Sequence, residues 1–293
     1  MSTNQRNGQA SPPAPAFAHI AEKIHKAVRH KGTPGVPESR IKRILSGFLL
    51  PAAVLAVWEV ATIFSLVPPQ LLVPPESVFQ CLVRLTVSGV LWENLRVSLS
   101  LVLLGFTWGV LGGIAVGALM AIFRTVDRLV HPLIQAIRQI PLFGWLPFLI
   151  LLFGIGREFK IVFIGLSTFY VMVVNAYDGV KSVSPEHLEV SRIFGVSYFR
   201  RFTEVIIPEA MPSIFTGLKT GLSLSWMTVV GAEMVAASLG VGYLMNYSRT
   251  MFEYDVVYAM VFVIGIMGFL MSLIVNRIER HVLRWRTTYR SSE

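Results

Sequence analysis

The chain has 293 residues, 54% of them hydrophobic and only 15% charged, with a mean hydropathy of +0.62. Soluble globular domains carry roughly 25% charged residues, so this composition excludes an ordinary water-soluble domain and points to a membrane protein. A single cysteine, Cys81, excludes an intrachain disulfide framework or a multi-cysteine metal site, while the net charge of +9 raises the question of a polyanionic partner.

Residues 1–40 are polar, proline-rich at Pro12, Pro13 and Pro15, then basic at Lys23, Lys26, Arg29 and Lys31. No apolar core followed by a small-residue cleavage site marks a signal peptide. The expectation is a mostly disordered cytoplasmic tail with a short amphipathic helix near 17–28. A spanning helix needs about 20 mostly apolar residues, and such runs fall at 44–66, 97–123, 139–155, 159–179, 212–235 and 256–276. This predicts an all-α integral membrane protein of about six helices occupying 41–285, with a short cytoplasmic tail at 286–293.

Orientation follows from the distribution of Lys and Arg. With the N-terminus in the cytoplasm, that side holds 21 of the 26 basic residues, and the other side only Arg84, Arg96, Arg157, Lys160 and Arg249. Both termini and the 180–211 segment are therefore expected in the cytoplasm. The high charge is a topology signal and needs no nucleic acid.

Two spans carry small residues at four-residue spacing: Gly105, Gly109, Gly113, Gly117 and Ala121 in the second, and Ser213, Gly217, Gly221 and Ser225 in the fifth. Such ridges let helix backbones approach closely in lipid. The third span is short and interrupted by Pro141 and Pro147, the pattern of irregular backbone lining a cavity. Pro141, Trp145 and Pro147 are accordingly candidates for a solute path, joined by Ser223, Ser225, Trp226 and Thr228 as small or polar wall residues. Ionisable and amide groups within the spans are costly. Glu59, Asn175, Asp178 and Glu233 are each either structurally paired, placed at the membrane interface or part of that path, with Glu233 ahead of Glu59.

Enzyme chemistry finds no support. No G-x-x-x-x-G-K-[ST] loop is present, the six histidines form no H-E-x-x-H pair, and Gly154-Ile155-Gly156 and Gly240-Val241-Gly242 read as turns at span ends. No catalytic or metal-ligating set is assigned.

The segment 184–208 interrupts the apolar pattern with Glu186, Glu189, Arg192, Arg200, Arg201 and Glu204. Ser184 suits an N-cap and Pro185 a first helical position. Gly195 suits a left-handed C′ position. Ser197 caps a second helix reaching about 207, where Pro208 bars smooth continuation. Phe199, Phe202 and Ile206 recur at helical spacing. So short a pair cannot bury its apolar side alone; it lies against its own spans or in a groove of a partner.

The spacing Glu189–Gly195–Pro208 resembles the EAA loop of bacterial ABC-importer permeases, with Val190 and Ser191 in place of two alanines and Ile207 in place of a leucine. Arg138 to Pro147, Phe153-Gly154-Ile155-Gly156, Thr216 to Lys219, Ser225-Trp226, Ala232-Glu233, Gly240-Val241-Gly242 and Asp255-Val256-Val257 are similar to the nitrate/sulfonate/taurine/bicarbonate group, most of all its sulfonate and taurine members. The resemblance implies a permease subunit in the bacterial inner membrane, paired with a second copy. Glu189, Val190, Ser191, Phe194, Gly195, Phe199, Arg200 and Pro208 would dock on a cytoplasmic ATPase dimer, which holds ATP and Mg2+; this chain holds no cofactor. A periplasmic or lipid-anchored binding protein would deliver a small organic anion. Import of nitrate, bicarbonate or another solute by the same kind of complex, an ATP-independent secondary carrier and a non-transporting scaffold remain the alternatives.

Overall fold

A computed structural model describes residues 40–64, 66–68 and 72–284. The expected disordered tail, its helix near 17–28 and the segment 286–293 lie outside the described residues. Contacts divide the chain into two units, Met1–Val57 and Trp58–Glu293. Of the first, the described part is the opening of α1 (Arg40–Ile63).

The second unit continues through α2 (Pro75–Val87), α3 (Val90–Ile122), α4 (Arg124–Arg138), a 3-10 turn (Leu142–Trp145) and α5 (Leu146–Phe153). It then runs through α6 (Arg157–Lys181), α7 (Pro185–Ile193), α8 (Tyr198–Ala236), α9 (Val241–Thr250) and α10 (Tyr254–Val282). No strand occurs among the described residues. Among them, three helices, α3, α6 and α10, are long and apolar enough to cross a membrane, and two bent pairs bring the number to five.

One bent pair joins α4 to the Leu142–Phe153 arm at 95°. The interrupted span expected at 139–155 is thus the short apolar arm of a sharp corner. Pro141 is extended at φ −54, ψ 134 and opens the 3-10 turn, since the residue preceding that turn cannot continue α4 through an imide lacking its N–H.

Helix α6 is the axis of the unit, packed along α3 on one side and α8 on the other. Both small-residue ridges face it. On α3, Gly105 meets Ile164, Gly109 meets Gly165 and Thr168, Gly113 meets Met172, and Gly117 meets Val173 and Ala176. The α3 row therefore climbs α6 four residues at a time. On α8, Gly217 meets Met172 and Asn175, Gly221 meets Thr168, and the Ser225 hydroxyl shares a hydrogen bond of 2.5 Å with Thr168. Ile164, Met172 and Val173 of α6 are consequently buried, while Phe159 and Phe163 are buried against Leu146 and Leu149 of α5 and Ala232 and Ala236 of α8.

Two helices were not legible as elements. In α2, Val78, Cys81 and Leu85 recur at three- and four-residue spacing and are buried, but the polar opposite face dilutes the apolar signal. Helix α9 follows a break at 237–240, turned by 44° from α8.

Candidate functional site

The insert forms at one end of α6 and α8. Ser184 occupies the N-cap position of α7 but its side chain makes no capping hydrogen bond; Pro185 fills the first turn. The other end is a Schellman closure: Gly195 N–H donates to Arg192 O at 3.0 Å and Val196 N–H to Ser191 O at 3.0 Å. Gly195 takes φ +68 with open space where a Cβ would stand, so the corner needs glycine for its backbone and not for room. Ser197 caps the next helix by accepting from Arg200 N–H at 3.5 Å, and the Arg201 guanidinium donates to Val196 O at 3.1 Å.

From there the chain departs from expectation. Pro208 does not end the second helix. Tyr198–Arg201 passes through a π turn, Phe202–Ile206, directly into Ile207–Ala236. The wider turn, closed by Ile207 N–H on Phe202 O, lies just before the imide, where a proline ring in a regular α-helix would strike the carbonyl four residues back. It also shifts the helical register: Phe199 is exposed while Phe202 and Ile206 are half-buried, so the three do not form one stripe.

The corner presents Ile193, Phe194, Tyr198 and Phe199, at 82%, 80%, 63% and 75% exposure. Val190 is half-exposed on the same insert. Ser191 points inward, buried, with its hydroxyl donating to Leu188 O at 2.7 Å. Of the two residues standing for alanine, the small one is thus placed inside and the larger one outside. Glu189 and Arg200 are exposed, Arg200 paired with Glu204 at 3.4 Å. His187 meets Glu209 at 2.6 Å, fastening α7 to the base of α8.

The path candidates divide. Pro141, Pro147 and Ser223 are exposed. Trp145 is half-buried, with a buried indole N–H that has no partner among the described residues. Ser225, Trp226, Thr228 and Glu233 are buried within the chain itself. Ser225 bonds Thr168, and Trp226 N–H donates to Ile264 O of α10 at 3.0 Å.

Glu233 belongs to a polar network at the far end of the bundle. Ser98 donates to its two carboxylate oxygens at 2.7 and 2.9 Å, and Gly242 N–H donates at 3.0 Å. Gly240 N–H donates to Asn94 Oδ1 at 2.8 Å and Val241 N–H to Ser98 Oγ at 3.0 Å. The first amides of α9, which no preceding turn can satisfy, are therefore met by Asn94 and Ser98 of α3 and Glu233 of α8. A side chain at Gly240 or Gly242 would collide with Glu233 or the backbone it stands on. Asn94 and Ser98 were not singled out in the sequence; their i, i+4 spacing at the polar start of the second span was the available signal. The remaining polar candidates are locally occupied or peripheral: Asn175 donates to Val171 O, Asp178 borders a small cavity with His131 and Tyr177, and Glu59 is exposed.

The described residues thus form a helical unit with several apolar, membrane-length helices packed about α6 and an exposed apolar corner on a capped insert. Residues 109–287 match the family described as binding-protein-dependent transport system inner membrane component, and the chain belongs to that family. The taurine transport system permease protein TauC of Escherichia coli is 35% identical over 80% of this chain and 87% of its own. The aliphatic sulfonates transport permease protein SsuC of Bacillus subtilis is 30% identical over 84% of this chain and 89% of its own. The fold is also that of a solved inward-facing MetNI methionine ABC transporter chain, with a TM-score of 0.58 at 19% identity, covering 67% of this chain and 98% of that one.

Proposed function

We propose that this chain forms the membrane path of an ATP-driven importer for small sulfonates such as taurine, acting as two copies with two ATPase subunits and a solute-binding protein. The insert and both termini face the cytoplasm in a six-span bacterial inner-membrane arrangement, as the charge distribution supports. The observation that carries the reading is the Gly195 corner, whose four large apolar side chains the described chain leaves uncovered. Exposed apolar clusters of this kind mark docking surfaces, and an amphipathic helix in a partner's groove is the mode they suit.

Motion entering at the corner has a rigid route. The His187–Glu209 contact links α7 to α8, and α8 runs unbroken from Tyr198 to Ala236. At about 1.5 Å per residue that is nearly 60 Å, enough to carry displacement through a hydrocarbon core of about 30 Å. The α8 ridge on α6 and the Glu233 network on α9 extend the coupling, so closure of the ATPases moves the bundle as a body. ATP and Mg2+ reside in the ATPase; this chain supplies no catalytic group.

The test is uptake of labelled taurine into proteoliposomes holding the whole complex. Accumulation that requires ATP and the binding protein is expected. Accumulation that ignores ATP and follows an ion gradient refutes the importer, and selective uptake of nitrate or bicarbonate instead refutes the sulfonate assignment.

A further inference from the structure

At the end of the bundle remote from the insert, a cavity of about 650 Å3 opens between α3, the start of α6 and the α8–α9 break. Small-molecule sites run from about 300 to 1,000 Å3. Arg157 and Lys160 line it together with Gly156, Ser100, Leu101 and Ser238.

Lys160 is the unusual member. It is only 9% exposed, yet forms no hydrogen bond or ion pair with any described residue; its ammonium lies 5.9 Å from the neighbouring Phe159 ring. Glu233 acts on it only through space, its carboxylate being occupied by Ser98 and Gly242. The side chain is thus largely buried while its ammonium, which is not among the buried unpartnered atoms, reaches the cavity, and a cation at the end of a span with no protein partner is a candidate functional site. The α6 N-terminus adds to the same wall. Gly156 caps it without a side-chain hydrogen bond, leaving first-turn amides and the positive end of the helix dipole toward an anion. Glu158 is the acid nearby, its carboxylate folded back beside Gly156 rather than lining the cavity.

The geometry points to an anion-holding site in which Lys160, Arg157 and the α6 N-terminus take the sulfonate group of a small solute, with Leu101 against its alkyl chain. The inference rests on the importer reading above and names, within it, where the solute's charge is held on the side that receives it. Arg157 is exposed and meets the oxyanion at the rim, where a guanidinium can donate two parallel bonds; Lys160, its stem buried, supplies the second charge from the cavity wall. A lipid phosphate shares this chemistry, so the test separates the two.

The complete permease–ATPase complex, without its binding protein, is placed in phosphatidylcholine nanodiscs and titrated with labelled ethanesulfonate. Saturable binding is expected, weakened about tenfold or more in Lys160→Met and restored in Lys160→Arg, since the loss is of one charge-assisted partner. Arg157→Gln weakens it less and more so at low salt. In ATP-driven uptake with the binding protein present, Lys160→Met raises the solute concentration for half-maximal rate more than it lowers the maximal rate. Equal binding and uptake in Lys160→Met overturns the site. So does displacement of the bound anion by phosphatidylglycerol, which assigns the cavity to lipid. A Lys160→Met loss that follows a fall in melting temperature and is not restored by Lys160→Arg makes Lys160 structural. Wild-type complex that accumulates solute with ATP while Lys160→Met behaves identically removes this site alone; wild-type complex without ATP-driven uptake removes the importer reading as well.

Discussion

Alanine at Gly109 and alanine at Gly112 add the same methyl to the same helix, three residues apart, and the structure predicts opposite signs for them. A Cβ at Gly109 would lie 2.6 Å from Gly165 O and 2.8 Å from Thr168 Cβ. One of these is backbone and cannot rotate away. Carbon contacts settle near 3.5–4.0 Å, so α3 and α6 must part by about 0.7 Å at that level. A gap of that size forfeits a quarter to a half of each affected contact, at about 0.1–0.2 kcal/mol per atom pair. Over the layers at Ile164, Thr168 and Met172, some tens of pairs bring the cost to about 1–3 kcal/mol, the range of overpacked cores. Exchanging glycine for alanine in a helix returns about 0.5–1 kcal/mol. The net expectation for Gly109→Ala is a loss of about 0–2.5 kcal/mol, centred near 1. At Gly112 the nearest atom is Phe169 Cδ2 at 3.4 Å, an ordinary contact, so only the helical gain remains. Thermal unfolding of the purified complex in nanodiscs reads the difference, about 2–4 °C per kcal/mol for 150–250 residues. A Gly109→Ala protein as stable as Gly112→Ala would refute the claim that this ridge sets the α3–α6 distance.

Gly195→Val places a β-branched residue at φ +68, costing roughly 1 kcal/mol or more and re-aiming the corner; ATPase activity stimulated by binding protein and solute should fall, with membrane insertion intact by protease mapping. Glu233→Ala orphans the buried Gly242 N–H, at about 1–3 kcal/mol, while the Ser98 hydroxyl can turn to Asn94 O, and Glu233→Gln keeps an acceptor; calorimetry should rank alanine the less stable by about 1–3 kcal/mol. Burial, ahead of the Asp255 charge, pushes the Cys81 thiol pKa up. Less thiolate at neutral pH and 3% exposure predict that a water-soluble maleimide labels it only after unfolding, and prompt labelling of the native complex would show α2 to be loosely held.

What could be read along the chain is whatever repeats at the period of a helix or is capped within a few residues. Gly105, Gly109, Gly113 and Gly117 announce a ridge because all four lie on one helix, and Pro185, Gly195 and Ser197 announce the corner because helix ends are local. Composition alone places the molecule in a membrane, and the family likeness sits in those same short stretches.

The tertiary structure decided the rest. It turned the interrupted third span into a 95° corner and carried α8 through Pro208 on a π turn. It placed Glu233 on the amides of α9 through Ser98, 135 positions away, and left Lys160 buried beside a cavity without a partner. A ridge is a property of one helix and survives in sequence spacing; a carboxylate's partner, or a lysine's lack of one, is a property of three helices meeting, and neighbouring residues carry no trace of it.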